Sequence, residues 1–152
     1  MLHPLVQAWF SSRFDNATDV QVRAWPVIAR GDDCLIAAPT GSGKTLAAFL
    51  ACLDRLVRAD DAGQLEDRVE VVYVSPLKAL SNDVQKNLDV PIIEMAALAK
   101  ELGRTAPRIT TAVRTGDTSP KDRRLLVKKP PHVLVTTPES LYILLGSANC
   151  FE

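Results

Sequence analysis

Cysteine is scarce in this sequence. Cys34, Cys52 and Cys150 are far apart, and none belongs to a Cys-x-x-Cys pair. That argues against a disulfide scaffold or a zinc site and suits a reducing compartment; two of the three lie in apolar segments and read as core residues. Long apolar runs are also missing, because charge interrupts every stretch well short of a membrane span. The start of the chain, with His3 and Pro4, lacks the basic-then-apolar order of a secretory leader. Together these absences predict a soluble cytoplasmic protein with no membrane partner. Charge of one sign is missing too: 18 Lys and Arg stand against 18 Asp and Glu. No whole-chain field favours a polyanion, so any nucleic-acid contact must come from a local patch. There is no internal repeat and no low-complexity segment.

What is present is a chain of 152 residues, 47% apolar, enough for one domain with a real core. It is organised around Cys34-Leu35-Ile36-Ala37-Ala38-Pro39-Thr40-Gly41-Ser42-Gly43-Lys44-Thr45. A short apolar run, Cys34 to Ala38, reads as a buried strand. It ends in a Pro/Gly/Ser loop that closes on Gly-Lys-Thr, the pattern of a phosphate-binding loop with Ala38 at the usual first glycine. Gly41 and Gly43 allow a turn tight enough for several N–H groups to face one phosphate. Lys44 places an ammonium on the β- and γ-phosphates, and Thr45 offers a hydroxyl to Mg²⁺. Leu46, Phe49, Leu50, Leu53, Leu56 and Val57 then recur at helical spacing, so a helix follows and adds the positive end of its dipole.

Elsewhere the pattern alternates. Leu5, Val6, Trp9 and Phe10 predict a leading helix over Leu5 to Phe14; Thr18 caps a second through Ala29, with Pro26 interrupting or kinking it and Gly31 ending it. Ala59 to Gln64 reads as a polar loop, and Val69 to Ser75 as a β-branched strand. Pro76 to Leu80 opens a helix carrying Val84 and Leu88; Asp89 and Pro91 stop it and start another, from Ile92 to about Leu102, ended by Gly103. Arg108 to Arg114 and His132 to Thr136 are further strands. Thr115-Gly116-Asp117 is a turn, Ser119-Pro120 starts a short helix, and Thr137-Pro138 starts the last one, through Leu145. Strand and helix in alternation predict an α/β fold with a mostly parallel sheet and helices on both faces. Ligands in such folds gather at the carboxyl ends of the strands.

Gln21 has two readings. Its amide can read adenine bidentately, with Phe14 or Phe10 stacking on the base, or it is a solvated helical glutamine. The position shortly before a phosphate loop favours adenine. Lys121, Arg123, Arg124, Lys128 and Lys129 form a local positive segment that reads as a solvated face. His132 simply begins a strand.

The ordered set Gln21, Ala38 to Thr45, Ser75-Pro76-Leu77-Lys78-Ala79-Leu80, Arg114-Thr115-Gly116-Asp117-Thr118 and Thr137-Pro138-Glu139-Ser140-Leu141 resembles the start of a superfamily 2 helicase motor. The wording is most similar to the large helicase-related (Lhr) proteins, ATP-dependent DExH helicases of prokaryotes. Ala24-Trp25-Pro26 and Leu46 to Leu50 strengthen the likeness, which spans almost the whole chain; the family's Pro beside the threonine is Ala17 here. The resemblance implies a P-loop NTPase, RecA-like three-layer fold. Residues 1–152 would form a partial N-terminal ATP-binding lobe, with the second lobe absent. It implies ATP and Mg²⁺ as cofactors, held by Phe14, Gln21, Pro39, Thr40, Gly41, Ser42, Gly43, Lys44 and Thr45. Lys44 and Thr45 serve catalysis and Thr45 the metal. It places Pro76, Lys78, Thr115, Gly116, Asp117, Thr137 and Pro138 along a single-stranded or partly duplex nucleic acid, DNA before RNA. The rest of a helicase chain would be the remaining partner.

One chemical part is not written. Hydrolysis needs an acidic residue at the end of a second apolar strand. Val71 to Val74 runs into Ser75, Val133 to Val135 into Thr136, and Cys34 to Ala38 into the loop; none ends in Asp-Glu. Asp32-Asp33, Asp60-Asp61 and Glu66-Asp67 lie in loops or before strands. In the family the Asp-Glu-x-His box would lie beyond Glu152, so these residues alone are expected to bind Mg-ATP weakly and not hydrolyse it. A non-catalytic nucleotide- or nucleic-acid-binding remnant is the alternative. A different P-loop enzyme, such as a small-molecule kinase, ranks third.

Overall fold

Local signals set most of the elements before packing does. In the computed structural model, which describes residues 2–75 and 85–146, contacts divide the chain into two compact units. The first is Met1–Leu65 with Gln85–Pro107; the second is Glu66–Val84 with Arg108–Glu152.

In the first unit, α1 spans Pro4–Arg13, α2 Asp19–Ala29, α3 Lys44–Asp61 and α4 Val90–Glu101. Pro4 sits in the first turn of α1, where a missing N–H forfeits no helical bond, and His3 Nδ1 accepts from the Leu5 N–H at 3.3 Å. The 3.6-residue period of α3 buries Leu46, Phe49, Leu50, Leu53, Leu56 and Val57. This stripe packs with Leu5, Val6, Trp9 and Phe10 of α1 and with α2. Polar groups brace the edges: Trp9 Nε1 donates to Glu94 at 2.8 Å, Arg13 pairs with Glu94, and His3 Nε2 lies 3.0 Å from Asp61.

The second unit carries β1 (Val71–Val74), β2 (Thr111–Arg114) and β3 (Val133–Thr136), with helices α5 (Pro120–Lys128) and α6 (Pro138–Leu145). The strands are parallel, as expected, in the order β1-β3-β2. β3 is buried at all four positions, because a strand paired on both sides has no solvent edge. His132, just ahead of it, is 4% exposed and does more than begin a strand. Its Nδ1 accepts from the Thr110 N–H at 3.0 Å and lies 2.9 Å from the Thr110 hydroxyl, while its carbonyl accepts from Glu70 and Val71. One residue thus fastens the leading ends of all three strands.

Three expectations need correction. Cys34 to Ala38 is not a strand: it makes no ladder bonds among the described residues, Leu35 is 94% exposed, and Cys34 is exposed rather than in the core. An apolar run can specify the inward faces of a strand but not the neighbour that completes it. α3 continues through Ala59, Asp60 and Asp61, and the left-handed Gly63 then turns the chain. Asp89 and Pro91 start the next helix, as expected, but leave no gap before it. Asp89 has helical torsion angles at the end of a π-helical turn, Gln85–Asp89, which runs straight into α4. Pro91 occupies the first turn of α4, where its ring is tolerated. α2 likewise runs through Pro26 to Ala29 without a break. The helix expected from Pro76 to Leu80 lies outside the described residues.

Replacing His132 by alanine leaves the Thr110 N–H and hydroxyl without their acceptor. Thr110 is exposed and water can replace the lost acceptor, so urea titration should show a loss of about 0.5–1.5 kcal/mol, the net worth of an ordinary hydrogen bond. An unchanged midpoint would show that the fastening contributes nothing.

Candidate nucleotide site and strand-edge turns

The first unit assembles the loop and the start of α2 into one cluster. Thr18, at the N-cap of α2, accepts from the Gln21 N–H through its hydroxyl at 3.3 Å, and Gln21 Oε1 accepts from the Thr18 N–H at 3.0 Å. This reciprocal capping box satisfies two donors that a bare helix end leaves unpaired. The Thr18 hydroxyl also donates to the Ser42 carbonyl at 3.0 Å, joining α2 to the phosphate loop. Gln21 is 3% exposed, which excludes the reading of a solvated helical glutamine. Its Nε2 lies 2.7 Å from where a Cβ on Gly43 would stand, so only glycine lets the amide lie against the loop.

Of the two aromatics considered upstream, Phe10 is 4% exposed and Phe14 41%. Phe14 packs one side against Phe10, ring centroids 5.0 Å apart, and keeps open surface. Phe10 is occupied on its other side by Trp25, whose Nε1 donates to the Ala47 carbonyl.

The loop has the backbone that its glycines predict: Gly41 has φ +83° and Gly43 +84°, and the Ser42 N–H donates to the Pro39 carbonyl at 3.3 Å. Lys44 and Thr45 open α3, whose N-terminus has no side-chain cap, so its first amides remain available. Lys44 is half-buried and donates to the carbonyls of Ala38 at 2.7 Å and Pro39 at 3.0 Å, which folds the ammonium over the loop. Ser42 Oγ is a buried side-chain polar atom without a hydrogen-bond partner among the described residues. Uncapped amides, an orphaned hydroxyl and a cation together fit a phosphate group. Three or more His, Cys, Asp or Glu side chains arranged to hold a metal are not found among the described residues. A cation here would depend on Thr45 and on oxygens brought with the phosphate.

The second unit gathers the turns. Val74, Arg114 and Thr136 are aligned in register, so the segments beginning at Ser75, Thr115 and Thr137 leave the same edge of the sheet. Thr115, Gly116, Asp117, Thr137 and Pro138 therefore meet at the carboxyl ends of the strands; Pro76 and Lys78 lie outside the described residues. Thr136 Oγ1 donates to the Arg114 carbonyl at 2.7 Å, tying two of the strand ends together. Thr137 caps α6 through the Ser140 N–H. Arg123 was grouped with the solvated cations of α5, and the others are exposed. Its guanidinium instead donates to the carbonyls of Thr118 at 2.9 Å and Gly116 at 2.8 Å, holding the Thr-Gly-Asp turn. Only its spacing of a few residues from the turn hinted at this.

A phosphate loop on a helix N-terminus and a parallel sheet with its turns at one edge define a P-loop α/β protein. The chain belongs to the DEAD/DEAH box helicase family, whose model matches residues 18–151. It is 49% identical over 147 residues to ATP-dependent helicase Lhr-Core protein 2 of Thermococcus barophilus, covering 97% of this chain and 17% of that one. Identity is 50% over 145 residues to ATP-dependent helicase Lhr-Core of Methanothermobacter thermautotrophicus, covering 95% and 17%. Among solved structures it resembles Mycobacterium smegmatis helicase Lhr bound to ssDNA and AMP-PNP, with TM-score 0.87 and 46% identity over 97% of this chain and 18% of that one. The expected fold class and the likeness to Lhr proteins are thus met, and the chain spans under a fifth of these relatives' lengths. Among the described residues no helix is long and apolar enough to cross a membrane.

Thr18→Ala removes the cap acceptor and the tie to Ser42 together. We expect a loss of about 1 kcal/mol, as for other N-caps, read as a lower urea midpoint. Thr18→Ser, which keeps the hydroxyl, should recover most of it, and failure to do so would reject the hydroxyl's role.

Proposed function

We propose that residues 1–152 form part of the ATP-binding lobe of an ATP-dependent nucleic-acid helicase that couples hydrolysis to strand translocation and unwinding. The observation that carries this reading is the cluster of Thr18, Gln21, Ser42 and Gly43 just ahead of Lys44, which sets a buried side-chain amide against the glycine loop. Gln21 keeps a second acceptor site on Oε1 and its Nε2 donors for an adenine edge, and Phe14, which keeps exposed ring surface, would stack on the base. Pro39, Thr40, Gly41, Ser42 and Gly43 present backbone amides to the phosphates. Lys44 neutralises charge on the β- and γ-phosphates and Thr45 ligates Mg²⁺, which polarises them when bound. In this reading Lys44 exchanges its contacts with the Ala38 and Pro39 carbonyls for phosphate oxygens.

The turns at Thr115, Gly116, Asp117, Thr137 and Pro138, with Pro76 and Lys78, lie along a nucleic-acid strand. Their chemistry suits the sugar-phosphate backbone rather than the bases: the amides at the start of α6 are sequence-blind donors. DNA is preferred over RNA because the similar Mycobacterium smegmatis helicase is described bound to ssDNA. The general-base carboxylate is not among these residues, since no strand candidate ends in Asp-Glu.

The 152-residue chain should bind a fluorescent ATP analogue in the presence of Mg²⁺ and release no phosphate above background. Lys44→Ala should weaken that binding about tenfold or more, ~1.4 kcal/mol, with its urea midpoint unchanged. Equal affinity in the variant, or steady turnover by the chain, would overturn the assignment.

A further inference from the structure

Cations are partnered unevenly over the molecule. Arg13, Arg23, Arg30, Arg58, Arg68 and Arg104 each have a carboxylate within ion-pair distance. On α5 the case is different. Lys121, Arg124 and Lys128 recur at i, i+3 and i+7, so they share one face, about 10 Å from end to end at 1.5 Å per residue. All three are exposed, and none has a carboxylate partner among the described residues. Asp122, the one acidic residue of α5, stands off that face and accepts from the Ser119 hydroxyl at 2.7 Å. The three cations line an open concavity of about 580 Å³ together with Ser119, Pro120 and Leu125, a residue 58% exposed.

We propose that this face of α5 seats the phosphates of a single-stranded polynucleotide, extending the track past the strand-edge turns. The inference rests on the reading of those turns as a nucleic-acid path. Continuity comes from Arg123, which leaves α5 on another face to hold the Gly116 and Thr118 carbonyls, so turn and helix are one rigid piece. Charge supplies the complement: unpaired cations in a row attract a regularly spaced polyanion and read no sequence. Leu125 gives an apolar floor for a sugar or base between the cations. A merely solvated helix would be expected to intersperse acids on the same face, as elsewhere in this chain, whose formal charge is zero.

Binding of a fluorescent oligothymidylate to the intact protein, measured by anisotropy over a range of salt, tests this. Each phosphate contact to a single strand contributes about −0.7 to the log–log salt slope. The triple variant Lys121→Glu, Arg124→Glu, Lys128→Glu should bind more weakly, with a slope shallower by about 2. The corresponding alanine triple, less disruptive to charge balance, should show the same slope change, and Lys100→Glu on α4 should show none. Wild-type slope in both triple variants would reject the seat while leaving the strand-edge path intact. No salt-dependent binding by the wild-type protein would reject the path and the seat together.

Discussion

The hydroxyl of Thr18 is the contact on which the first unit's site depends. It accepts from the backbone of its own helix and donates to the phosphate loop, so helix start and loop cannot move independently. Gln21 completes the arrangement by capping back onto Thr18 and lying against Gly43. Buried polar groups are tolerated only when satisfied. Here the satisfaction is reciprocal, and among the described residues the buried side-chain atom left without a partner is the Ser42 hydroxyl, in the loop itself.

A different constraint governs the second unit. Three parallel strands of four residues make little surface by themselves, and their stability depends on keeping register. The His132 knot fastens one end and the Thr136 hydroxyl the other. With both ends held, the turns at Thr115 and Thr137 start from fixed points. Arg123 then removes the remaining freedom of the Thr-Gly-Asp turn by bonding two of its carbonyls. An exposed turn is held stiff by a side chain from the helix that follows it.

The helices were legible because their signals are local. Thr18, Ser119 and Thr137 announce helix starts, prolines at the first turn reinforce two of them, and the stripe of α3 shows which face is buried. The strands at Val71, Thr111 and Val133 were legible from β-branched composition, with their starts trimmed by one to three residues. Cys34 to Ala38 is equally apolar, though only Ile36 in it is β-branched, and is no strand, because a ladder belongs to two segments and composition describes one. The phosphate loop was readable to the residue, since its torsion angles demand glycine at Gly41 and Gly43. The tasks of His132 and Arg123 were not: each acts on a group brought near by the fold, and a lone histidine or a run of cations looks alike wherever it leads.

Strand order has a further implication. The middle strand, β3, is the last of the three along the chain, and β1 and β2 each bond to it rather than to each other. Parallel neighbours also require long crossovers. As the polypeptide emerges from the ribosome, the two outer strands exist well before the one that joins them. The second unit therefore cannot begin its sheet until residues 133–136 arrive, while α1, α2 and α3 already have one another to pack against. Vectorial synthesis imposes a longer waiting period on one half of the molecule than on the other.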